Sequence, residues 1–317
     1  MNMPEQTVWR MRGWQRLLLA VAALALGVVA LPSMATPPAQ QSFKSPEEAV
    51  DALVDAVKSN DQKKLRSILG PRSRRLVSSG DEVADAQNRE AFIKAYNEVG
   101  KVVLEGDARA ILMIGHDEWP LPIPLVKSGG AWRFDTPQGE KELLARRIGA
   151  NELAAIQVCL AIVDAEKEYA AQEGAGDGGP HYADRFLSTP GSHDGLYWET
   201  KADESPSPLG PLLAAAAHEG YPKSETRPLS PYHGYYYKIL TGQGAHAPGG
   251  AYDYVVKGRM IGGFAVLAYP ARYGASGIMS FMVNHEGVVY EKDLGRITRQ
   301  LAAKMTSFDP DATWKKQ

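Results

Sequence analysis

The densest group of side chains that could do chemistry is the run His116-Asp117-Glu118-Trp119. An imidazole and two carboxylates on one short segment can form an acid–base pair or bind a metal ion weakly. The run lies between two predicted strands, so its side chains would lie at the rim of a sheet. No second ligand set with a recognisable spacing accompanies it, and we therefore predict a solvated loop and no metal site. His116, Asp117 and Trp119 remain candidates for binding a small ligand.

A second histidine and glutamate are adjacent in "NHEG", Asn284 to Gly287, between two apolar runs. Asn tolerates the left-handed conformation and Gly supplies a positive φ, as a tight hairpin requires. We therefore predict a β-turn here and no catalytic pair. A catalytic interpretation would require an imidazole and carboxylates from separate segments to meet within a few ångströms in a dry cleft.

The remaining nucleophiles also favour structural roles. Cys159, the single cysteine, lies beside the apolar stripe of a predicted helix, which is typical of a buried thiol. One cysteine can form neither an intramolecular disulfide nor a Cys-x-x-Cys redox centre. Ser276 in "GASG" lacks the spacing of a nucleophile elbow, and a strand follows it. Without a phosphate-binding loop or a dinucleotide fingerprint, the sequence predicts no catalytic residue and no cofactor.

Tyrosines cluster in "PYHGYYYK" and "AYDYVV". Alternate residues of a strand share a face, so Tyr235 and Tyr237 are predicted to lie opposite Tyr236. Aromatic rings on an exposed face can bind sugars or partner proteins, although they are also common in ordinary strands. Tyr235 and Tyr237 are therefore further binding candidates.

The elements that position these residues begin with a helix whose start is marked by Ser45-Pro46-Glu47-Glu48, a capping box with proline at its first position. Alternating apolar residues then predict an antiparallel meander. Its strands are expected at 101–105, 108–114, 121–127 and 131–135. Residues 45–148 are thus predicted to form a first α+β domain, with helices on one face of the sheet.

The second half begins with a predicted short helix ended by Gly149 and a longer helix that starts at Asn151. Glu166 falls in the polar stretch that ends the longer helix. The segment 174–231 is rich in Pro, Gly and Ser, which predicts surface loops laid over a core, with Tyr197 and Trp198 as anchors. An antiparallel sheet follows over 233–292. We therefore predict a second α+β domain over 149–300 and a tail over 301–317.

The N-terminus has the pattern of a secretory signal. Three arginines precede the apolar run from Leu17 to Ala30, and "LPSMA" supplies the small residues of a cleavage site. Cleavage is expected after Ala35, leaving a flexible leader over 36–44 and a periplasmic or secreted protein without a membrane span. The alternative is a retained anchor, but the run is shorter than the roughly 20 residues that a span needs. Because the chain has a net charge of −2 and no basic stripe, nucleic acid is not a predicted partner.

Several strings resemble a family of exported bacterial proteins known only as a domain of unknown function. They cover nearly the whole predicted mature chain, and the resemblance implies a signal peptide and an envelope location but no activity. The strings are "SSGDEVAD", "WRFDTPQGEKELLARRIGANELAAIQVC", "FLSTPGSHDGLYW", "SPLGPL", "PYHGYYYKILTGQG" and "GGAYDYVVKGRMIGGFAVLAYPARYGASGIMSFMVNHEGVVYEKDLG".

Two further resemblances concern shape alone. Residues 45–135 are similar to the nuclear-transport-factor-2-like cone, in which capped helices precede a curved sheet. Residues 150–295 look like the globular head of type IV pilins and pseudopilins, with a "G-Y-x-Y" strand at Gly234 to Tyr237 and a late hairpin over 281–289. Pilins assemble through an apolar N-terminal helix, whereas the matching helix here is internal.

The sequence therefore predicts an exported, two-domain α+β protein without enzymatic activity. It would act as a binding or assembly-associated module whose partner is an unknown envelope protein or a small ligand. One alternative is a periplasmic hydrolase or isomerase with its site at the mouth of the first domain, near His116 and Asp117. The other is a structural component that resembles a minor pilin.

Overall fold

The computed structural model describes residues 40–172, 179–201, 203–222 and 230–317. The predicted signal segment, and the leader up to residue 39, lie outside these residues. The described chain has an α+β fold in which helices pack on antiparallel sheets. Its buried apolar side chains form two separate hydrophobic cores.

The helices and strands are numbered in chain order. The α-helices are α1 (Pro46–Lys58), α2 (Gln62–Leu69), α3 (Arg74–Val77), α4 (Glu82–Glu98), α5 (Thr136–Gln172), α6 (Gly210–His218) and α7 (Thr298–Lys304). The strands are β1 (Gly100–Leu104), β2 (Arg109–Ile114), β3 (Trp119–Pro120), β4 (Leu125–Ser128), β5 (Ala131–Phe134), β6 (Tyr235–Leu240), β7 (Gly242–Gln243), β8 (Tyr252–Asp253), β9 (Val255–Val256), β10 (Arg259–Met260), β11 (Ala265–Pro270), β12 (Met279–Asn284), β13 (Val289–Asp293), β14 (Ser307–Phe308) and β15 (Lys315–Lys316).

The first core lies between α1, α2 and the sheet β1-β2-β4-β5. Helix α1 starts where the sequence predicts, because the Ser45 hydroxyl accepts the Glu48 N–H at 3.1 Å. Phe43, which falls in the predicted flexible leader, is buried, and its N–H donates to the Trp132 carbonyl. The described end of the leader is thus fixed to the sheet, because an apolar ring there contributes to the core.

The proline-rich stretch between β3 and β4 shortens a predicted strand. A strand was expected over 121–127, but β4 begins only at Leu125. Pro122 and Pro124 have no N–H to donate to a neighbouring strand, so regular pairing cannot form across them. The stretch forms a bend, which places Ile123 in the first core.

Helix α5 is a single helix of 37 residues that belongs to both cores. The predicted break at Gly149 is wrong: the helix continues through it, and the predicted boundary between residues 148 and 149 falls inside the helix. Near its start, Gly139 lies against the backbone of Pro122 in the first half. Further along, Val158 and Ile162 are buried in the second core.

Among the described residues, α5 is the one helix long and apolar enough to cross a membrane by length and composition. Core helices of globular proteins share these properties. Here Ala155, Val158 and Val163 are buried in the second core, so packing within the fold accounts for these apolar residues, whereas Leu153 is exposed.

The second core is built on the antiparallel sheet β15-β13-β12-β11-β6. Four of its strands, β6, β11, β12 and β13, come from the region where an antiparallel sheet was predicted, but residues 252–256 are not part of this sheet. The fifth strand comes from residues 301–317, which were predicted as a tail. Phe308 and Trp314 in this segment are buried in the second core, which explains why the segment packs against the sheet.

The two halves meet around the carboxylate of Asp81, which is 1% exposed. As the N-cap of α4, its Oδ1 accepts the Ala84 N–H at 3.0 Å. Its Oδ2 accepts the Tyr221 hydroxyl at 2.9 Å and the Gly234 N–H at 2.8 Å. One buried side chain of the first half thus holds two segments of the second half.

Further side-chain bonds to backbone cross this junction or anchor α5 beside it. The Arg272 guanidinium of the second half donates to the Ser78 carbonyl of the first half at 2.8 Å. Within the second half, the Asn151 amide of α5 donates to the Ser276 carbonyl at 2.8 Å. The Glu152 carboxylate accepts the N–H groups of Ile278 and Met279. Because each bond satisfies a backbone group that packing withdraws from water, the junction has a defined geometry.

Substituting Asp81→Ala should lower the free energy of unfolding by about 3 kcal/mol, because it leaves several buried donors unsatisfied. Asp61→Ala is the matched control, since Asp61 is also an N-cap but is exposed; its loss should cost about 1 kcal/mol. Urea denaturation of both variants measures the difference. Equal losses of unfolding free energy in the two variants would show that the contacts of Asp81 with Tyr221 and Gly234 add no stability beyond that of an ordinary N-cap.

Two glycines of α5 should respond in opposite ways to alanine. A Cβ at Gly139 would lie 2.4 Å from the Pro122 carbonyl oxygen, whereas a Cβ at Gly149 would meet nothing within 4 Å. Gly139→Ala should therefore destabilise the protein by about 1–3 kcal/mol. Gly149→Ala should stabilise it by up to about 1 kcal/mol through helix propensity. Thermal unfolding followed by circular dichroism tests both, and a melting temperature lowered by Gly149→Ala would contradict the continuous helix.

Candidate functional site

The polar run at residues 116–119 does not assemble a site. His116, Asp117 and Glu118 are exposed on the turn between β2 and β3. Trp119 is partly buried, and the Arg146 guanidinium lies over its ring at 5.5 Å from the centroid. Its position is thus set by packing, and the described part of the chain brings no further ligating side chain to His116 and Asp117.

The structure separates the two tyrosine candidates. Tyr235 is fully buried, and its hydroxyl donates to the Met279 carbonyl at 2.9 Å. It therefore belongs to the second core and cannot contact a ligand, which corrects the prediction of an exposed tyrosine face. Tyr237 lies on the same strand and lines a cavity.

The "NHEG" segment is the predicted hairpin turn between β12 and β13. Gly287 has a φ of +78°, and its N–H donates to the Asn284 carbonyl. The His285 ring turns inward and packs edge-on against Tyr254 and Phe264. The ring thus contributes to the packing of the fold.

The two nucleophile candidates are also structural. Cys159 is fully buried in the second core, and burial raises the pKa of its thiol to about 12. A thiol with so high a pKa has almost no reactive thiolate. The Ser276 hydroxyl accepts the Arg272 N–H at 3.0 Å and serves to fix the loop between β11 and β12.

A largely apolar cavity of about 520 Å³ lies in the second half. Its floor is apolar and combines side chains of α5 with side chains of α6 and of the residues before it. These are Val158, Ile162, Leu209, Leu212 and Ala216. One side is closed by residues 179–201, which we call the wall segment. Pro222 and Ser230 contribute to the lining on the other side.

Aromatic rings from three parts of the chain surround this cavity. Phe186, Tyr197 and Trp198 come from the wall segment. Tyr221 follows α6, while Tyr232 and Tyr237 belong to the region of β6. Tyr221 and Tyr232 pack edge-to-face with centroids 4.9 Å apart. Because Tyr221 also donates to Asp81, the junction between the halves fixes one side of the aromatic lining.

A compact loop in the wall segment is held by Asp194. Its carboxylate accepts the Thr189 N–H at 2.6 Å, the Thr189 hydroxyl at 2.7 Å and the Ser192 hydroxyl at 2.9 Å. These bonds, led by the backbone N–H, lower the pKa of Asp194 to about 2. A Cβ at Gly195 would lie 2.8 Å from the Leu187 backbone, so only glycine allows the two ends of the loop to approach.

This loop places His193 against Trp198, with the rings stacked 4.1 Å apart. Among the described residues, neither the Trp198 indole N–H nor the Tyr197 hydroxyl has a hydrogen-bond partner. The Trp198 indole N–H and the Tyr197 hydroxyl are therefore available to a ligand, whereas the hydroxyls of Thr189 and Ser192 are already bonded within the loop. Charged side chains also line the cavity, and these are Glu199, Lys201 and Glu204.

Near the cavity, an imidazole and a carboxylate from separate segments do meet. His233 Nε2 lies 3.6 Å from Glu219 Oε2, and the Tyr232 hydroxyl lies 3.5 Å from Glu219 Oε1. Both charged side chains are about one third exposed, at 31% and 35%. The pair is thus wet and does not meet the requirement of a dry cleft. The described residues contain no cluster of three or more histidine, cysteine or acidic side chains suited to a metal ion.

Sequence reasoning missed two of the buried acids. Asp81 is the N-cap of α4, a role that the sequence analysis did not assign to it. Glu166 was assigned to a polar face, yet it is fully buried. The signal was present in the spacing, because Glu166 follows the buried Ile162 by four residues and precedes the buried Tyr169 by three, which places all three on one helix face.

These features define a class: an α+β protein with two cores, a preformed aromatic cavity and, in its described residues, no assembled catalytic group. The chain belongs to the family DUF2950, described as a protein of unknown function, whose family model matches residues 40–317. The resemblance to a family of unknown function is thereby confirmed. No curated protein and no solved structure matches the chain, so its likeness to pilin heads and to the nuclear-transport-factor-2-like cone stays a prediction.

Proposed function

We propose that this protein is an exported, non-enzymatic binding protein that takes up a small, uncharged, ring-bearing molecule in the aromatic cavity. The observation that carries the proposal is the convergence of six aromatic side chains, from three parts of the chain, on one apolar floor. Preformed, mostly apolar pockets with few polar groups are typical of small-molecule sites.

The size and the chemistry of the cavity restrict its ligand. About 520 Å³ lies within the range of roughly 300–1,000 Å³ that small-molecule sites occupy. Flat aromatic walls favour a ring, through offset or edge-to-face packing. The Trp198 N–H and the Tyr197 hydroxyl can each donate one hydrogen bond to the ligand. A ligand with a ring body and one or two acceptor atoms fits this lining.

The alternatives have less support. An enzyme with its site near His116 and Asp117 would need these side chains to converge with others, but they lie on an exposed turn. A pilin-like role would need a free apolar helix for assembly, whereas the apolar face of α5 is used within the second core. Binding of a ligand or partner is therefore the better supported function.

Substituting Trp198→Ala should weaken binding of N-phenyl-1-naphthylamine, an uncharged fluorescent ring compound, by about tenfold or more. The indole supplies both a cavity wall and a hydrogen-bond donor. Fluorescence titration of the purified protein measures the dissociation constant.

Trp119→Ala is the matched control, because Trp119 is also a partly buried tryptophan but does not line the cavity. Its affinity for the probe should equal that of the wild type. Unchanged binding by Trp198→Ala, or an equal loss in both variants, would mean that the probe does not bind in the aromatic cavity.

Export is the second part of the proposal, and it depends on the signal pattern in residues 1–35. Expression of the full chain in a bacterial host should yield a protein in the periplasmic fraction that begins at Thr36. Intact-mass measurement establishes the N-terminus. A full-length chain in the membrane fraction would indicate a retained anchor instead.

A further inference from the structure

A fully buried glutamate lies beneath the wall segment. Glu166 of α5 is 0% exposed, and its Oε2 accepts the Ala183 N–H at 2.9 Å. Among the described residues, its Oε1 has no hydrogen-bond partner. A carboxylate oxygen that is buried without a partner strongly disfavours the ionised state. Burial, opposed by the Ala183 N–H and reinforced by Asp184, raises the pKa of Glu166 to about 8.

The charged groups around Glu166 do not neutralise it. Asp184 carries a like charge and is itself paired with Arg185 at 2.8 Å. On the neighbouring hairpin, the Arg259 guanidinium bonds the Gly179 carbonyl and lies 3.0 Å from His181 Nδ1. On α5 itself, Asp164, Lys167 and Glu168 are exposed to solvent. An ionised Glu166 would therefore need water, which can reach it only if the wall segment moves.

The same segment forms one side of the aromatic cavity. The residues that follow Ala183 pair with the C-terminal part of the wall segment. The Leu196 N–H donates to the Arg185 carbonyl, and the Tyr197 N–H donates to the Phe186 carbonyl. Tyr182 is bonded to the Met260 carbonyl just before it. A displacement at Ala183 is thus transmitted to Phe186 and Tyr197 at the cavity.

We propose that Glu166 is a pH-sensitive switch for the cavity: the neutral carboxyl holds the wall segment closed, and loss of its proton opens the segment. This inference rests on the proposed function for the role of the cavity, but the switch itself depends only on Glu166 and the wall segment. The pH would thus regulate the binding site: the cavity would hold its ligand at acidic pH and release it at alkaline pH.

The direction of the effect follows from linkage. In the open segment Glu166 regains its ordinary pKa of 4.5, whereas in the closed segment the pKa is about 8. Between these values the closed state holds a proton that the open state has lost. Opening should therefore become about tenfold more favourable for each unit of pH between 4.5 and 8, and should be constant above that window.

Hydrogen exchange at the Ala183 amide tests the switch. Its protection factor, corrected for the intrinsic exchange rate, should fall about tenfold per pH unit between 4.5 and 8 in the wild type. In Glu166→Gln the amide oxygen can still accept the Ala183 N–H, but nothing titrates, so protection should be independent of pH. The Phe43 amide, bonded to Trp132 in the first core, is the internal reference.

A second variant gives an independent test if Glu166→Gln does not fold. Asp184→Asn removes the like charge that opposes ionisation of Glu166, so the fall in protection should end at a lower pH than in the wild type. Equal protection of Ala183 at pH 5 and pH 8 in the wild type would overturn the switch. The same pH dependence in Glu166→Gln, or an unchanged end point in Asp184→Asn, would also overturn it.

Titration with N-phenyl-1-naphthylamine separates the switch from the proposed function. Weaker binding at pH 8 than at pH 5 in the wild type, but not in Glu166→Gln, supports both. If the probe does not bind at any pH while Ala183 protection follows the expected course, the proposed ligand class fails and the switch stands.

Discussion

The structure depends on the burial of one carboxylate with which no opposite charge among the described residues is in direct contact. Asp81 is surrounded by donors instead: the N–H at the start of α4, the N–H of Gly234 and the hydroxyl of Tyr221. A buried acid without such donors would be costly, so each must stay in place. The requirement fixes where β6 begins relative to α4. Through Tyr221 it also fixes the edge of the aromatic cavity.

Stability and the candidate function use separate parts of the second half. Its sheet and α5 form a core in which polar atoms serve packing, as the Tyr235 hydroxyl and the Ser276 hydroxyl do. The cavity lies where the wall segment and α6 cover this core without filling the space between them. Rings that face such a space gain contacts only when a ligand enters. The proposed binding function uses this space.

Local patterns in the sequence predicted the parts of the fold that depend on neighbours in the chain. The Ser45 cap, the β1–β2 hairpin and the "NHEG" turn are all confirmed. The errors arose where distant contacts override local preference. Gly149 did not end a helix because both cores support α5 on either side of it, and residues 301–317 are held by a sheet that no local pattern reveals. The cavity was not predictable, since its lining joins segments that are far apart in sequence.

The continuity of α5 determines how this protein can be divided. At about 1.5 Å per residue its 37 residues span about 55 Å, and each half of the fold packs on a different stretch of it. Dividing the chain near residue 149, at the predicted domain boundary, would leave each fragment with only part of α5 and with an uncovered apolar face. We therefore expect neither fragment to fold well when it is produced alone. The two halves should be expressed and crystallised as one chain.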